Sequence, residues 1–476
     1  MKHSLKNKAR NYRVKLRYSS VLVLLLLACN GHTTNVKQHI EAAPMGPLTI
    51  HQNNPRYFAT PDGRALVLAG SHTWDNLQDW GSTPEFDFTG YLNLLEQYNH
   101  NVTRLWHWES SGKVAPVVYA RTGPGVAVDD LPRFDLTRFN EVYFTRLRER
   151  VSRLQDRGIY AVVVLFSRFV NWEHHPFNAN NNINGIDGGD EPAFHSTKDK
   201  AIWELQVSYV RKVIDAVNEF DNVLFEIGTE LDRTSLAWQK RMIKVVRQRE
   251  ADLPNQHLIG LSTSGARNGI PVKALLNSNA DWVAPRNESG FDYTKSPKVA
   301  SGEHVIVADT DHIGVVLGNT NPNFMRRWVI KTFMRGNHIL LMDAIQNPIP
   351  GRETEPLEDW NDPNNPGLPA ARQAMGTVLR LASRFDLGLL TPISDRALCS
   401  TTYCLRDPGQ AYVAYNPKGR VFHLQLEAAS YDLQWIDTAG AILNTSSVKV
   451  AAPVRHKFKS PKTSTGDVFL ILIRRG

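Results

Sequence analysis

Two acidic residues stand at the ends of short apolar runs: Glu230 just beyond Asn222-Val-Leu-Phe-Glu-Ile227, and Asp309 directly after His304-Val-Ile-Val-Ala308. A carboxylate there is costly to desolvate, so it has either a partner or work to do. Two carboxylates across one cavity with tryptophans around them suit the cleavage of a glycosidic bond. One protonates the leaving oxygen, and the other attacks the sugar carbon or activates water. Glu230 and Asp309 are 79 residues apart, about three strand–helix units of an eightfold barrel, which sets them facing across its mouth. Other chemistry-bearing side chains fall at neighbouring strand ends: Trp74, Arg104, His107, Trp108, Glu109, Asp311, His312 and Asp343. These are expected to bind substrate. Other readings stay open: Glu230 paired with Arg104 or Arg267 as a structural bridge, the tryptophans as core, or Asp309, Asp311, His312, His72 and His107 around a divalent ion. No His-x-His pair opens the first strand, and no metal or other cofactor is expected.

These residues need a scaffold, and the chain supplies an alternation of buried runs with amphipathic stretches. Strands are expected at residues 65–69, 101–106, 159–166, 222–227, 257–261, 280–284, 304–308 and 338–342. The run Ile159-Tyr-Ala-Val-Val-Val-Leu-Phe166 is apolar throughout, the pattern of a strand covered on both faces. Helices are expected between nearly all of them, at 89–98, 140–157, 199–219, 235–251, 271–277 and 322–335, and again at 369–385. No glycine-rich fingerprint follows the first strand, which argues against a doubly wound dinucleotide-binding sheet. The expected class is α/β: a (β/α)8 TIM barrel over residues 46–388, then a small all-β sandwich over 389–476, where short alternating strands replace helices. Asn178–Asn184 reads as a polar loop, either a rim of the cleft or disordered. No phosphate-binding loop, serine elbow or zinc spacing occurs.

The net charge of +8 does not describe a basic binding face. Lys2, Lys6, Lys8, Arg10, Arg13, Lys15 and Arg17 account for all but one unit of it, so no nucleic-acid partner is expected. This basic head precedes Val21-Leu-Val-Leu-Leu-Leu-Leu-Ala28 and Cys29. Eight apolar residues are too few to span a bilayer, which takes about 20. The pattern is that of an export signal, residues 1–28, with residues 29–45 as a polar tether. Cys399 and Cys404, five residues apart in an exported chain, either form a local disulfide or stay as thiols.

Several motifs resemble known families. Leu26-Leu27-Ala28-Cys29 resembles a bacterial lipobox, implying lipidation at Cys29 and an outer-membrane anchor. Phe225-Glu-Ile-Gly-Thr-Glu230 resembles the fourth-strand motif of the retaining clan A glycoside hydrolases. Asn101-Val-Thr-Arg104 resembles their second-strand arginine motif, and His304-Val-Ile-Val-Ala-Asp309 their nucleophile segment. Asn54-Pro-Arg-Tyr-Phe-Ala-Thr-Pro-Asp-Gly63 with Gly70-Ser-His-Thr-Trp74 resembles apiosidase-like bacterial barrels. The tail around Tyr412-Val-Ala-Tyr415 resembles the so-called collagen-binding sandwich appended to them. The resemblance implies a glycoside hydrolase acting on a carbohydrate, with Glu230 as acid/base, Asp309 as nucleophile and Arg104 bonded to the nucleophile. Two departures stand out: Thr229 where the clan keeps asparagine, and Asp309 where it keeps glutamate. They motivate a second expectation, a surface lipoprotein that binds carbohydrate on a degenerate barrel, and a third, a metal-dependent hydrolase. Substrate sugar and oligomeric state do not follow from sequence.

Overall fold

The computed structural model describes residues 46–80, 85–110, 114–168, 171–263, 268–286, 298–312, 316, 318–345 and 362–476. The signal, the tether and Cys29 lie outside them. Eight parallel strands form one sheet: β1 (Ala69–His72), β2 (Val102–Leu105), β3 (Tyr160–Val164), β4 (Val223–Glu226), β5 (Ile259–Ser262), β6 (Trp282–Ala284), β7 (Val305–Asp309) and β8 (His338–Met342). The ladder runs β1-β8-β7-β6-β5-β4-β3-β2, the order of a closed (β/α)8 barrel. All their residues are buried, because helices cover the outside and side chains fill the inside.

The seam between β1 and β2 is closed largely by one side chain. The Asn101 amide donates to Val67 O at 2.9 Å and accepts from Ala69 N at 2.9 Å, while its backbone N–H donates to Ala69 O. A Cβ at Gly70 would lie 1.9 Å from Val102 O, so only glycine lets the strands approach this closely.

The α-helices of five residues or more among the described residues are α1 (Phe88–Gln97), α2 (Glu141–Gln155), α3 (Lys200–Val217), α4 (Leu236–Glu250), α5 (Val272–Leu276), α6 (Pro322–Phe333) and α7 (Gly367–Ala382). Asp87, Asn140, Asp199 and Asn321 cap four of them by accepting first-turn N–H groups, which fixes where each helix starts.

Two local expectations change. The first barrel strand begins at Ala69. Ala65–Leu66 instead joins Thr49–Ile50 and Phe58–Ala59 in a small antiparallel sheet, from which Leu48 and Phe58 pack against the N-terminal ends of the barrel strands. The apolar stretch 65–69 spans both elements, and periodicity does not separate them. A hairpin, Tyr119–Val126 with Pro132–Phe139, also stands between β2 and α2. The asparagine-rich loop is ordered against it: Phe134 N donates to Asn181 O at 2.8 Å, and the amides of Asn181 and Asn182 donate to five loop carbonyls.

Eight C-terminal strands follow: β9 (Thr391–Ile393), β10 (Cys404–Asp407), β11 (Ala411–Asn416), β12 (Val421–Leu426), β13 (Ala429–Ile436), β14 (Ile442–Val450), β15 (Val454–Lys459) and β16 (Val468–Arg474). They make a six-stranded antiparallel sheet, β9-β10-β11-β16-β13-β14, covered on one face by the pair β12-β15. Cys399 is joined by a disulfide to Cys404, the first residue of β10. The other face of the large sheet shares one continuous core with the barrel through Val413, Tyr415, Phe469 and Ile471.

Within that contact Asp467 is fully buried. It accepts from Arg326 Nη2 at 2.9 Å and from Tyr415 OH at 2.6 Å, with Arg327 Nε at 3.6 Å. Removing a partner from a buried pair strands the other charge. Arg326→Ala is therefore expected to cost about 3 kcal/mol in urea unfolding. A loss under about 1 kcal/mol would show that Arg327 alone neutralises Asp467.

Candidate active site

The C-terminal strand ends converge on one guanidinium. Arg104 rises from β2 into the barrel interior with its side chain wholly buried, a position that only counter-charges make tolerable. Its Nε lies 3.0 Å from Glu226 Oε2 of β4, its Nη1 donates to Asp311 Oδ2 at 3.0 Å, and its Nη2 donates to Asp309 Oδ2 of β7. Asp311 belongs to a single turn, Thr310–His312, whose tightness lets its backbone N–H donate to Asp309 Oδ1 at 3.1 Å. Both oxygens of Asp309 are thereby engaged. Among the described residues Asp311 Oδ1 has no hydrogen-bond partner. Glu226 Oε1 accepts from Ser262 Oγ of β5 at 2.6 Å. His72, at the end of β1, brings Nε2 to 3.5 Å from Asp311 Oδ2 and 4.0 Å from Asp309 Oδ1, and its ring stacks on Trp106 at 5.7 Å.

Glu230 stands four residues beyond Glu226 and is only partly buried, whereas Asp309 is inaccessible and Asp311 nearly so. Its backbone is left-handed, φ 55°, a conformation that costs a non-glycine residue energy and recurs at functional sites. Hydrogen bonds on either side hold it: Thr229 N donates to Phe166 O at 2.9 Å, Arg168 N to Thr229 O at 3.2 Å, and Glu230 N to Ser262 Oγ at 3.4 Å.

One guanidinium does not neutralise this many acids, and the surplus appears as protons. Burial first, then the charge of Asp309, pushes the Glu230 carboxyl up to about 8, against the opposing pull of Arg168 and Arg104. Burial and Asp309 likewise raise Asp311 well above the carboxylate range, and burial raises Glu226. Acids whose environments differ this much can take different roles at one pH.

The predicted residues separate into two groups. Glu230, Asp309, Asp311 and Arg104 come together. Asp343 is held by Arg372, whose Nε donates to Oδ2 at 2.7 Å. His107 bonds the Tyr143 hydroxyl at 2.9 Å and stacks on Tyr209, and burial brings its pKa down to about 4. Glu109 turns to His175, His195 and the backbone of Ser167. Trp74 and Trp108 are buried and linked, the Trp108 indole donating to Trp74 O at 2.7 Å. Arg267 and the His312 side chain lie outside the described part. The site also contains Glu226 and Ser262, which were not among the predicted ligands, and His72, which was expected there only in the divalent-ion reading. Glu226 carried a signal, being an ionisable residue inside the buried stretch Val223-Leu-Phe-Glu226.

His72, Asp309 and Asp311 place donor atoms within 4.8 Å of one another, a set of the type that binds a divalent ion. Arg104 already donates to Oδ2 of both carboxylates, and an ion there would face the guanidinium charge.

Residues 113–268 match a family model described as a domain of unknown function, DUF6298; the segment holds Glu226 and Glu230 and stops short of Asp309. No curated protein matches the chain. Among solved structures, a glycoside hydrolase family 5 protein from Bacteroides vulgatus is 13% identical. It aligns over 90% of this chain and 93% of its own, at a TM-score of 0.61. A protein described as a glycoside hydrolase is 14% identical over 90% and 97%, at 0.59. These neighbours share the parallel eight-stranded barrel of this chain. At this identity the likeness establishes the fold.

Proposed function

We propose that this chain is a glycoside hydrolase that retains anomeric configuration. The observation that carries the reading is the pairing of a partly exposed acid, Glu230, with a carboxylate fixed by a guanidinium, Asp309, at the ends of β4 and β7. Glu230 protonates the leaving oxygen as Asp309 attacks the anomeric carbon. Glu230 then takes a proton from the water that releases the sugar. Arg104 and the Asp311 N–H orient the nucleophile. The structural neighbours named as glycoside hydrolases support this reading, as does the sequence resemblance to apiosidase-like barrels. The substrate class is carbohydrate, and the lipobox-like run ending at Cys29 supports an exported, lipid-anchored chain.

A screen of glycosides with unactivated leaving groups tests the assignment. Turnover in the wild type that is lost in Glu230→Gln supports it, and sugar binding without turnover in either protein favours the binding-protein reading. A second reading makes Asp311 the nucleophile, carried by its Oδ1, unbonded among the described residues, and its slightly greater exposure.

A further inference from the structure

Glu109 has the residue type and strand-end position of a substrate ligand, yet its carboxylate is committed to the protein. The register that pairs Val163 of β3 with Leu105 of β2, continued four residues, sets Ser167 opposite Glu109. β2 has ended by then, and the Glu109 side chain takes the place of its backbone, Oε1 accepting from Ser167 N at 2.5 Å. On its other edge the same segment clasps Thr229: Phe166 O accepts from Thr229 N, Arg168 N donates to Thr229 O, and Ser167 and Thr229 form a parallel bridge. Glu109 thus secures one side of a segment whose other side holds the residue before Glu230.

The carboxylate is itself held. His175 Nε2 lies 3.5 Å away and His195 Nε2 3.9 Å. His175 Nδ1 accepts from Phe177 N, which leaves its Nε2 to carry hydrogen toward Glu109. Trp172 stacks on the His175 ring at 4.4 Å. Against the opposing effect of burial, the hydrogen bond from His175 and the nearby His195 keep the Glu109 carboxyl down at about 2.

We propose that Glu109 is a positioning residue, which completes the barrel pairing at Ser167 and thereby fixes Thr229 and Glu230 in their catalytic conformation. The inference rests on the acid/base role of Glu230. A misplacement on the order of 1 Å costs about 100-fold in rate. Glu109→Ala is therefore expected to lower kcat about 100-fold with KM nearly unchanged. Its alkaline limb should move below about 8, because a loosened Glu230 regains water. Glu109→Gln keeps an acceptor for Ser167 N and is expected to restore most of the rate and the limb.

A rise in KM in both variants would make Glu109 a substrate ligand and overturn the proposal. A fall in folded fraction with kcat per folded molecule and limb intact would overturn it too. The carboxyl resonance of Glu230, identified by its loss in Glu230→Gln, gives a reading independent of turnover. Its midpoint should fall in Glu109→Ala and return in Glu109→Gln, and an unchanged midpoint sinks the proposal. A wild type without turnover whose resonance behaves as expected would count against the enzymatic role alone.

Discussion

Glu230→Gln should lower kcat by about 10³-fold on glycosides with unactivated leaving groups, within the range of a lost general acid. The amide nearly preserves size, and sugar affinity is expected to hold. The pH profile gives the sharper test. The acid form of Glu230 persists up to about 8, where burial and Asp309 have placed it. Wild-type kcat/KM should therefore fall as pH rises through about 8, and this limb should be absent from the residual activity of the variant. An identical limb in both proteins would mean that another group titrates there and that Glu230 is not the acid.

The largest stability effect is expected at Arg104. Its side chain is the positive charge that Glu226, Asp309 and Asp311 share, all of them 0–1% exposed at the side chain. Arg104→Ala leaves that negative charge buried, at an expected cost of about 4 kcal/mol near pH 8. The sign of the pH dependence follows from the direction of the shifts. Glu226 and Asp311 already bind protons more tightly folded than unfolded, and losing Arg104 strengthens this. The folded variant then holds more protons than the unfolded chain, so its stability falls as pH rises and recovers toward pH 5. Urea unfolding of both proteins at pH 5 and 8 measures this. A deficit equal at the two pH values would show lost packing instead of unpaired charge. Arg104→Lys should restore only part, since a single ammonium does not reproduce the fork that spans three carboxylates.

The barrel was readable in the sequence wherever a strand is covered on both faces. Tyr160–Val164, Val223–Glu226 and Val305–Asp309 carry unbroken apolar stretches, the last two with a charge only at the end, and the structure places strands there. The Glu230 and Asp309 candidates came from the ends of the last two, and Arg104 from within Val102–Leu105. What sequence did not show depends on partners distant in the chain. Ala65–Leu66 and Ala69–His72 share one apolar stretch, and the contacts of Leu48 and Phe58 show which part enters the barrel. The hairpin at 119–139 has irregular register and exposed apolar residues, so it lacks a clean alternation. Glu109 and Asp343 look like ligands by type and position. Only the arrival of His175, from 66 residues away, and of Arg372, from 29 away, shows their carboxylates to be occupied.

The central claim is a covalent intermediate on Asp309, opposite Glu230. The most direct measurement uses the 2-deoxy-2-fluoro glycosyl fluoride of a sugar that the wild type turns over, followed by fragment-ion mapping of the peptide holding Asp309 and Asp311. The account predicts a single glycosyl adduct on Asp309, absent in Asp309→Asn. An adduct on Asp311 would move the nucleophile two residues along the chain. Turnover with inverted configuration and no adduct would contradict the retaining mechanism itself.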